Sequence, residues 1–311
     1  MDIMDLVRAL PASVAQGLIW GVMAIGVYLT FKILDFADLS VDGSLALGGA
    51  VAVVLILAGV NPVLAIIIAF FIGVIAGLVT GILHTLLGIP DILAGILTQI
   101  ALYSINLNIM GRSNLAVSIN KYDLVISLRD IPHTIIVGLL ILVAIILILY
   151  YFFGTEVGMS IRATGANPNM SRAQGISTDL CKVIALALSN GLVAVCGALI
   201  AQYQGNADVN MGRGAIVIGL AAVIIGEVLY EAILGKNNKF VFAFRLAFTA
   251  IGAVIYYMVI TFVLWLGLPS ENMKLFSAIV VAVFLAVPYL KAKRQSSFKK
   301  AGHAVKKGEE K

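Results

Sequence analysis

Long stretches of apolar residues constrain this chain more than any other feature of its sequence. A helix that crosses a bilayer needs about 20 mostly apolar residues. Stretches of this kind occur nine times, at residues 11–31, 43–60, 62–86, 92–110, 133–153, 182–201, 214–230, 243–266 and 274–290. Hydrophobic residues make up 61% of the chain and charged residues only 12%, so a soluble fold could not bury this much apolar surface. The sequence therefore predicts an all-α polytopic membrane protein.

The same sequence argues against several other classes of protein. Of the 21 Lys and Arg residues, eight lie in the last 21 positions, so the net charge of +5 does not indicate a nucleic-acid-binding surface. Cys181 and Cys196 fall on one predicted helix, too far apart to form a disulfide. Asp2 and Asp5 precede Arg8, which is not typical of a signal peptide, so we expect the first helix to be retained. No spacing of residues indicates a catalytic, cofactor-binding or metal site in this chain.

The distribution of positive charges predicts how the helices are oriented, because Lys and Arg are enriched in cytoplasmic loops. If the connection at 154–181 is cytoplasmic, 15 of the 21 cations lie inside and six lie outside. Nine spans then place the N-terminus outside and the C-terminus inside. We expect the basic tail to lie against anionic lipid on the inner surface.

Two stretches of the chain resemble each other. Residues 37–48 read ADLSVDGSLALG, and residues 207–219 read ADVNMGRGAIVIG. A second pair is Leu-Gly-Ile-Pro at 87–90 and Leu-Gly-Leu-Pro at 266–269. In the predicted orientation the first unit begins outside and the second begins inside, which makes them an inverted pair. Inverted repeats with matching breaks are typical of transporters, in which the substrate path lies between the repeats.

These features divide the chain into a transmembrane domain and a tail. The transmembrane domain, at 1–290, consists of repeat one at 11–110, a linking helix at 133–153, a cytoplasmic loop at 154–181 and repeat two at 182–290. The basic cytoplasmic tail follows at 291–311.

Polar residues interrupt the apolar stretches at a few places. Asp35, Asp38 and Asp42 lie close together between the first two spans. A carboxylate at membrane depth costs about 2.5–3.5 kcal/mol, so such groups line water, pair with a cation or lie outside the hydrocarbon. Two interpretations stay open: the segment lines or gates a pathway, or it is a cytoplasmic turn in which Asp42 caps the next helix. The corresponding segment of the second repeat, 202–213, is similarly polar and would face outward.

The fourth span carries a polar stripe formed by Gln99, Tyr103 and Asn106. These residues share one face of a helix, which we expect to look into the bundle. Hydrogen bonds between helices explain the stripe as well as contact with a substrate does. The residues that we consider candidates for a translocation pathway are Asp38, Ser40, Asp42, Gln99, Tyr103, Asn106, Asn206 and Asp208.

The longest polar internal segment follows the fifth span. Its sequence predicts a short helix with Asn167 as the cap, Pro168 at the first helical position and Gly175 at the end. A short exposed helix buries little surface by itself, so we expect it to dock on a partner. The alternative is a surface helix that rests on the bilayer.

This segment carries a resemblance to a known family. It resembles the ATPase-contacting loop of ABC importer permeases of the branched-chain amino-acid and ribose type through Arg162-Ala163-Thr164-Gly165, Asn167-Pro168, Arg172 and Gly175-Ile176. The run Asp38-Leu39-Ser40-Val41 with Gly43-Ser44 resembles a signature of the ribose-type permeases, in which Asp42 is a departure. Residues 34–43, 93–98 and 102–107 are similar to the permease family associated with uptake of tryptophan or other aromatic amino acids.

The resemblance implies a homodimeric permease in the cell membrane, driven by a separate ABC ATPase and supplied by an extracytoplasmic substrate-binding protein. It assigns the coupling loop to Arg162, Gly165, Asn167, Pro168, Arg172 and Gly175. It implies no cofactor bound by this chain, with ATP used by the partner. In agreement, the sequence contains no Gly-x-x-x-x-Gly-Lys-Ser/Thr motif.

Two other mechanisms are alternatives to this interpretation. An ion-coupled secondary transporter could use Asp38, Asp42 or Asp208 as a proton or sodium site. An intramembrane enzyme would need a convergent set of catalytic groups, and the sequence shows none. The identity of the substrate cannot be derived from these residues, and an amino acid, aromatic in particular, follows from the resemblance alone.

Overall fold

The computed structural model of the protein describes residues 3–119, 121–234, 241–266, 275–279, 281–283 and 286. These residues form ten α-helices and one two-stranded ribbon. The helices are α1 Ile3–Tyr28, α2 Val41–Leu57, α3 Pro62–Thr85, α4 Asp91–Met110, α5 Ile131–Phe153, α6 Glu156–Ala166, α7 Pro168–Ala173, α8 Thr178–Gln204, α9 Ala215–Ile233 and α10 Val241–Trp265. The strands are β1 Asn114–Ala116 and β2 Asn206–Asp208.

The all-α membrane architecture expected from the sequence is confirmed. Within the described part of the chain, seven helices are long and apolar enough to cross a membrane, and α2 is a shorter apolar helix of 17 residues. Eight of the nine predicted spans coincide with one of these helices. The ninth, at 274–290, lies partly outside the described residues, as the tail at 291–311 does entirely. The count of nine spans and the orientation of the termini therefore stay predictions.

Helix α8 lies at the centre of the bundle, with 83% of its most apolar window buried. It packs against α1, α2 and α3, and glycine makes the closest of these crossings possible. A Cβ atom on Gly48 would collide with the carbonyl oxygen of Ala194, and one on Gly197 would collide with that of Leu45. Small residues at helix crossings let the backbones approach closely. The largest buried cluster of the protein is built mainly from α1 and α8, and α2 packs closely on α8.

The two ends of the bundle differ. At one end, β1 and β2 pair antiparallel with Leu115 opposite Ala207, which joins the connection after α4 to the connection after α8. At the other end, α6 and α7 precede the first residue of α8. Because α8 has 27 residues, these ends lie about 40 Å apart. That distance matches the thickness of a bilayer with its headgroups.

The chain between α1 and α2 does not form a simple turn at the surface. Helix α1 continues into a π-helical turn, Leu29–Ile33, and Asp35 then adopts a left-handed conformation with φ of 57°. The following residues lead back into the bundle, where Asp38 is only 2% exposed. Helix α2 therefore begins among the other helices, which explains why it is shorter than its neighbours.

Candidate functional site

A cavity of about 340 Å³ lies beside α4 and brings together half of the pathway candidates. Asp42, Gln99, Tyr103 and Asn106 line it, together with Arg213. The wall of the cavity formed by α2 is close to α4 because Gly43 of α2 packs directly on α4. A Cβ atom on Gly43 would lie 3.2 Å from the Cα atom of Gln99. The cavity therefore combines a carboxylate, a guanidinium, two amides and a phenol at one place.

Asp42 connects the two stretches that resemble each other in sequence. Its carboxylate accepts hydrogen bonds from the backbone N–H groups of Gly214, at 2.9 Å, and Ile216, at 3.0 Å. Asp42 thus caps the N-terminus of α9, where an anion is stabilised by the helix dipole. Of the two interpretations, the one in which Asp42 caps its own helix does not hold, because α2 already begins at Val41 and Asp42 lies in its first turn.

Two polar residues of α4 hold this helix to its neighbours. Thr98 accepts a hydrogen bond of 2.9 Å from Thr80 on α3, and the amide nitrogen of Asn106 donates one of 3.3 Å to the carbonyl oxygen of Gly43. Asn106 is completely buried, and its Oδ1 atom has no hydrogen-bond partner among the described residues. For Thr98 and Asn106, hydrogen bonds between helices therefore explain why polar residues occur in this span.

The expectation that the whole polar face of α4 looks into the bundle is wrong for Tyr103. Tyr103 is 44% exposed, and only 28% of the most apolar window of α4 is buried. Helix α4 is thus a peripheral helix of the single chain and does not look into the bundle along its whole length, because among the described elements its close neighbours are α2 and α3. The exposed polar groups of α4, which are Tyr103, Ser104 and Asn108, lie in an open groove on the surface of the chain.

Asp38 and Ser40 belong to a buried hydrogen-bond network and do not line the cavity. The carboxylate of Asp38 accepts hydrogen bonds from the N–H group of Ser40, at 2.9 Å, from the Ser40 hydroxyl, at 2.5 Å, and from the Asn190 amide, at 2.8 Å. Asn190 in turn accepts a hydrogen bond of 2.5 Å from the hydroxyl of Ser44. All four residues are 2% exposed or less. The network fixes the beginning of α2 against the middle of α8.

Asn206 and Asp208 lie in the ribbon and not in the cavity. Asn206 pairs with Ala116, and the carboxylate of Asp208 accepts a hydrogen bond of 2.7 Å from the N–H group of Asn210. The structure therefore separates the eight candidates into a cavity set, a buried network and a ribbon at the end of the bundle.

The predicted short helix is present as α7 and faces outward. The Asn167 side chain accepts a hydrogen bond of 3.1 Å from the N–H group of Met170, and Pro168 occupies the first turn. Gly175 closes the turn with φ of 81°. Asn167, Pro168 and Met170 are all exposed, so α7 forms a projecting knob at the end of the bundle opposite the ribbon.

The knob and the helix before it contact the helices behind them at two places. The side chain of Arg172 donates a hydrogen bond of 2.8 Å to Thr178 and forms an ion pair of 3.5 Å with Asp179, at the start of α8. A Cβ atom on Gly165 would collide with the carbonyl oxygen of Ile33, so α6 lies directly against the end of α1. Helices α6 and α7 therefore contact both the π-helical turn that ends α1 and the start of α8.

Sequence reasoning missed Asn190 and Arg213. Asn190 could have been identified from the sequence, because an amide within an apolar span needs a hydrogen-bond partner on another helix. Arg213 lies within the second of the two similar stretches, at 207–219, but nothing in the sequence places it in one cavity with Gln99. Within the described ranges, no group of three or more His, Cys, Asp or Glu residues could hold a metal ion.

Comparisons with known proteins agree with this architecture. Residues 10–288 match a family described as the permease component of the branched-chain amino acid transport system. A tyrosine transport system permease protein of Clostridioides difficile is 40% identical over 271 residues, covering 87% of this chain and 88% of the relative. A ribose import permease protein of Escherichia coli is 25% identical over 273 residues, covering 86% of this chain and 81% of the relative.

A fructose import permease protein of Bifidobacterium longum is 29% identical over 276 residues, covering 86% of this chain and 74% of the relative. No solved structure matches the chain. The family match covers almost the whole helical bundle, including the cavity and the knob. The chain therefore belongs to the branched-chain amino-acid and ribose-type ABC permeases, as a multi-pass protein of the plasma membrane.

Proposed function

We propose that this chain forms the translocation pathway of an ABC importer for an amino acid, with an aromatic amino acid as the substrate. The observation that carries the proposal is the knob. A well-capped helix that projects from a membrane bundle and is braced against α1 and α8 is suited to receive force from another protein. The tyrosine named for the Clostridioides difficile relative, which is 40% identical, supports the substrate class.

The division of labour with partners follows from this proposal. The knob would face the cytoplasm and contact an ABC ATPase subunit through Asn167, Pro168 and the residues around them. This chain has no Walker-type motif, so ATP would be bound and hydrolysed by the partner and no cofactor by this chain. A substrate-binding protein would deliver the amino acid at the end that carries the ribbon.

The open groove beside α4 supports a homodimer. Tyr103, Ser104 and Asn108 are exposed on a helix that lies within the membrane. Polar groups at this depth need a partner or a water-filled space, because hydrocarbon offers them neither. A second copy that covers this face would supply both, and the cavity with Asp42 and Gln99 would then line a closed pathway between the two chains.

The contact between Asp42 and the start of α9 supports an inverted repeat. Asp42 belongs to the first of the two similar stretches, and Gly214 belongs to the second. A Cβ atom on Gly212 would collide with the carbonyl oxygen of Asp42, so the two stretches touch directly. Contact of equivalent segments is expected when a pseudo-two-fold axis relates two halves.

The test is to purify the full chain together with the proteins encoded beside it and to assay uptake in proteoliposomes. We expect an ATPase to co-purify and uptake of a radiolabelled aromatic amino acid to require ATP and the binding protein. Uptake should continue when ionophores collapse the proton and sodium gradients. Uptake by the chain alone that is driven by an ion gradient would overturn the proposal.

The ion-coupled alternative has less support. Both oxygens of the Asp42 carboxylate cap α9, and both oxygens of Asp38 accept hydrogen bonds within the buried network. The carboxylate of Asp208, the third candidate, accepts a hydrogen bond from the N–H group of Asn210. These contacts give each of the three carboxylates a structural role.

A further inference from the structure

A second cavity, of about 360 Å³, lies at the end of the bundle that carries the knob. It is formed where the end of α1 meets α6 and the start of α10, and we call it the basic cleft. Lys32, Arg162 and Arg245 line it. Arg162 and Gly165, which the resemblance assigns to the coupling loop, line this cleft, but the proposed function gives the cleft itself no ligand.

The basic cleft carries an excess of positive charge. Lys32 forms an ion pair of 2.6 Å with Glu227. Within the described part of the chain, no carboxylate forms a salt bridge with Arg162 or Arg245. The Nε atom of Arg245 is buried and has no hydrogen-bond partner there. Three cations against one carboxylate leave two positive charges for a ligand.

Aromatic rings hold the two guanidinium groups in place. Arg162 lies over the ring of Phe242, with 5.5 Å between Cζ and the ring centroid, and Arg245 lies over the ring of Tyr230 at 5.4 Å. A cation above an aromatic face is stabilised by the ring electrons, and Arg245 also interacts with the hydroxyl group of Tyr28 in the wall of the cleft. The planar guanidinium matches the oxygens of a phosphate group, which it binds through two parallel hydrogen bonds.

The cleft also opens toward the membrane. A neighbouring cavity of about 530 Å³ shares Arg162 and Phe242 with it and is lined on the other side by Tyr150 and Tyr151 of α5. Tyr151 is 79% exposed, and only 17% of the most apolar window of α5 is buried. Tyrosine is enriched at the membrane–water interface, where its ring lies at the level of the headgroups. Arg162 can therefore be reached from the lipid side.

We propose that the basic cleft binds the phosphate group of an anionic membrane lipid, with the acyl chains along α5. Free phosphate shares this chemistry, but the exposed tyrosines and the apolar surface of α5 favour a ligand anchored in the bilayer. Basic pockets between transmembrane helices are known to take such headgroups. The bound lipid would join α1, α6 and α10 directly beneath the knob.

The experiment measures lipid binding to the purified full chain by native mass spectrometry. The probes are dioleoyl phosphatidylglycerol and dioleoyl phosphatidylcholine, which share their acyl chains and differ in charge. We expect the anionic lipid to bind several-fold more tightly. Arg162→Gln should weaken binding of the anionic lipid about fivefold, because the attraction of one basic residue to an anionic membrane surface corresponds to a change in affinity of about that size. Arg162→Lys should keep most of the preference.

Arg112→Gln provides the matched control, because Arg112 is exposed at the opposite end of the bundle. We expect this variant to bind both lipids as the unmodified chain does. Equal binding of the two lipids, or an equal loss in the Arg112 and Arg162 variants, would overturn the proposal. Displacement of the lipid by inorganic phosphate at a similar concentration would assign the cleft to a soluble ligand instead. None of these results depends on which substrate the protein transports.

Discussion

The amide of Asn190, in the middle of α8, donates a hydrogen bond of 2.8 Å to the carboxylate of Asp38. This bond joins the central helix to the segment that leads into α2. Because Asp38 is inaccessible to water and its other oxygen accepts from Ser40, the Oδ2 atom of Asp38 relies on the Asn190 amide for its hydrogen bond. The contact therefore fixes where α2 begins, and with it the position of the cavity wall at Asp42.

Replacing Asn190 with Ala should destabilise the protein. The variant leaves an oxygen of Asp38 and the hydroxyl of Ser44 without their partner, which costs about 1–3 kcal/mol for a buried group and more for a charged one. The measurement is thermal unfolding of the purified chain in detergent. Asn114→Ala, at an exposed position of β1, is the control and should change the midpoint little. Equal midpoints for both variants would contradict the assigned network.

Asp42 should matter for stability through its cap on α9. Asp42→Ala removes the acceptor of two N–H groups, and loss of a cap costs about 0.5–2 kcal/mol. Asp42→Asn keeps one carbonyl oxygen and should lose about half as much. Denaturation curves of the two variants test this order. If Asn were as harmful as Ala, the carboxylate would act by its charge and not as a hydrogen-bond acceptor.

The close contact of α6 with the end of α1 predicts a specific effect of a single methyl group. In Gly165→Ala the new Cβ atom would push against the carbonyl oxygen of Ile33, so α6 must move away from α1. We expect stimulation of ATP hydrolysis by the substrate-loaded binding protein to fall several-fold. Gly138→Ala is the control, since its Cβ atom would meet only Leu18, at 3.7 Å. If both variants keep full stimulation, the α6–α1 contact does not transmit force.

The exposed surface of α7 should contribute to binding of the ATPase. Met170 is 57% exposed, so Met170→Glu can be introduced without disturbing the fold. A buried charge at the interface would weaken the complex by about 2–5 kcal/mol. Co-purification and light scattering measure this loss, and Met4→Glu, at a position that is 64% exposed on α1, is the control. A complex that survives the Met170 change intact would exclude α7 from the interface.

A homodimer that closes the groove beside α4 can be detected by cross-linking. Cys181 and Cys196 are both buried, so a cysteine introduced at the exposed Ser104 is the reactive one. We expect Ser104→Cys to yield a covalent dimer in membranes treated with a short bifunctional maleimide. Ile136→Cys, on α5 and 60% exposed, should yield little. The opposite pattern would place the dimer interface on α5.

Local sequence determined a large part of this structure. The apolar stretches fixed the helices, because backbone groups in a bilayer are satisfied within a helix and the length of each stretch is set by the membrane. Asn167, Pro168 and Gly175 fixed the short helix α7, because a cap, a first-turn proline and a left-handed glycine act within a few residues of each other. These features need no knowledge of distant contacts.

The tertiary structure alone decided what the polar residues do. The sequence could not tell whether Asp42 caps its own helix or lines a cavity, because its partners at Gly214 and Ile216 lie more than 170 positions away. The sequence also could not show that Asp38 belongs to a buried network while Asp42 lines a cavity, because that difference depends on the contact of Asn190 with Asp38. It also could not place Lys32, Arg162 and Arg245 in one cleft. Each of these contacts joins residues on different helices. Which residues come together depends on where the helices cross, and the crossing points are set by the packing of the whole bundle.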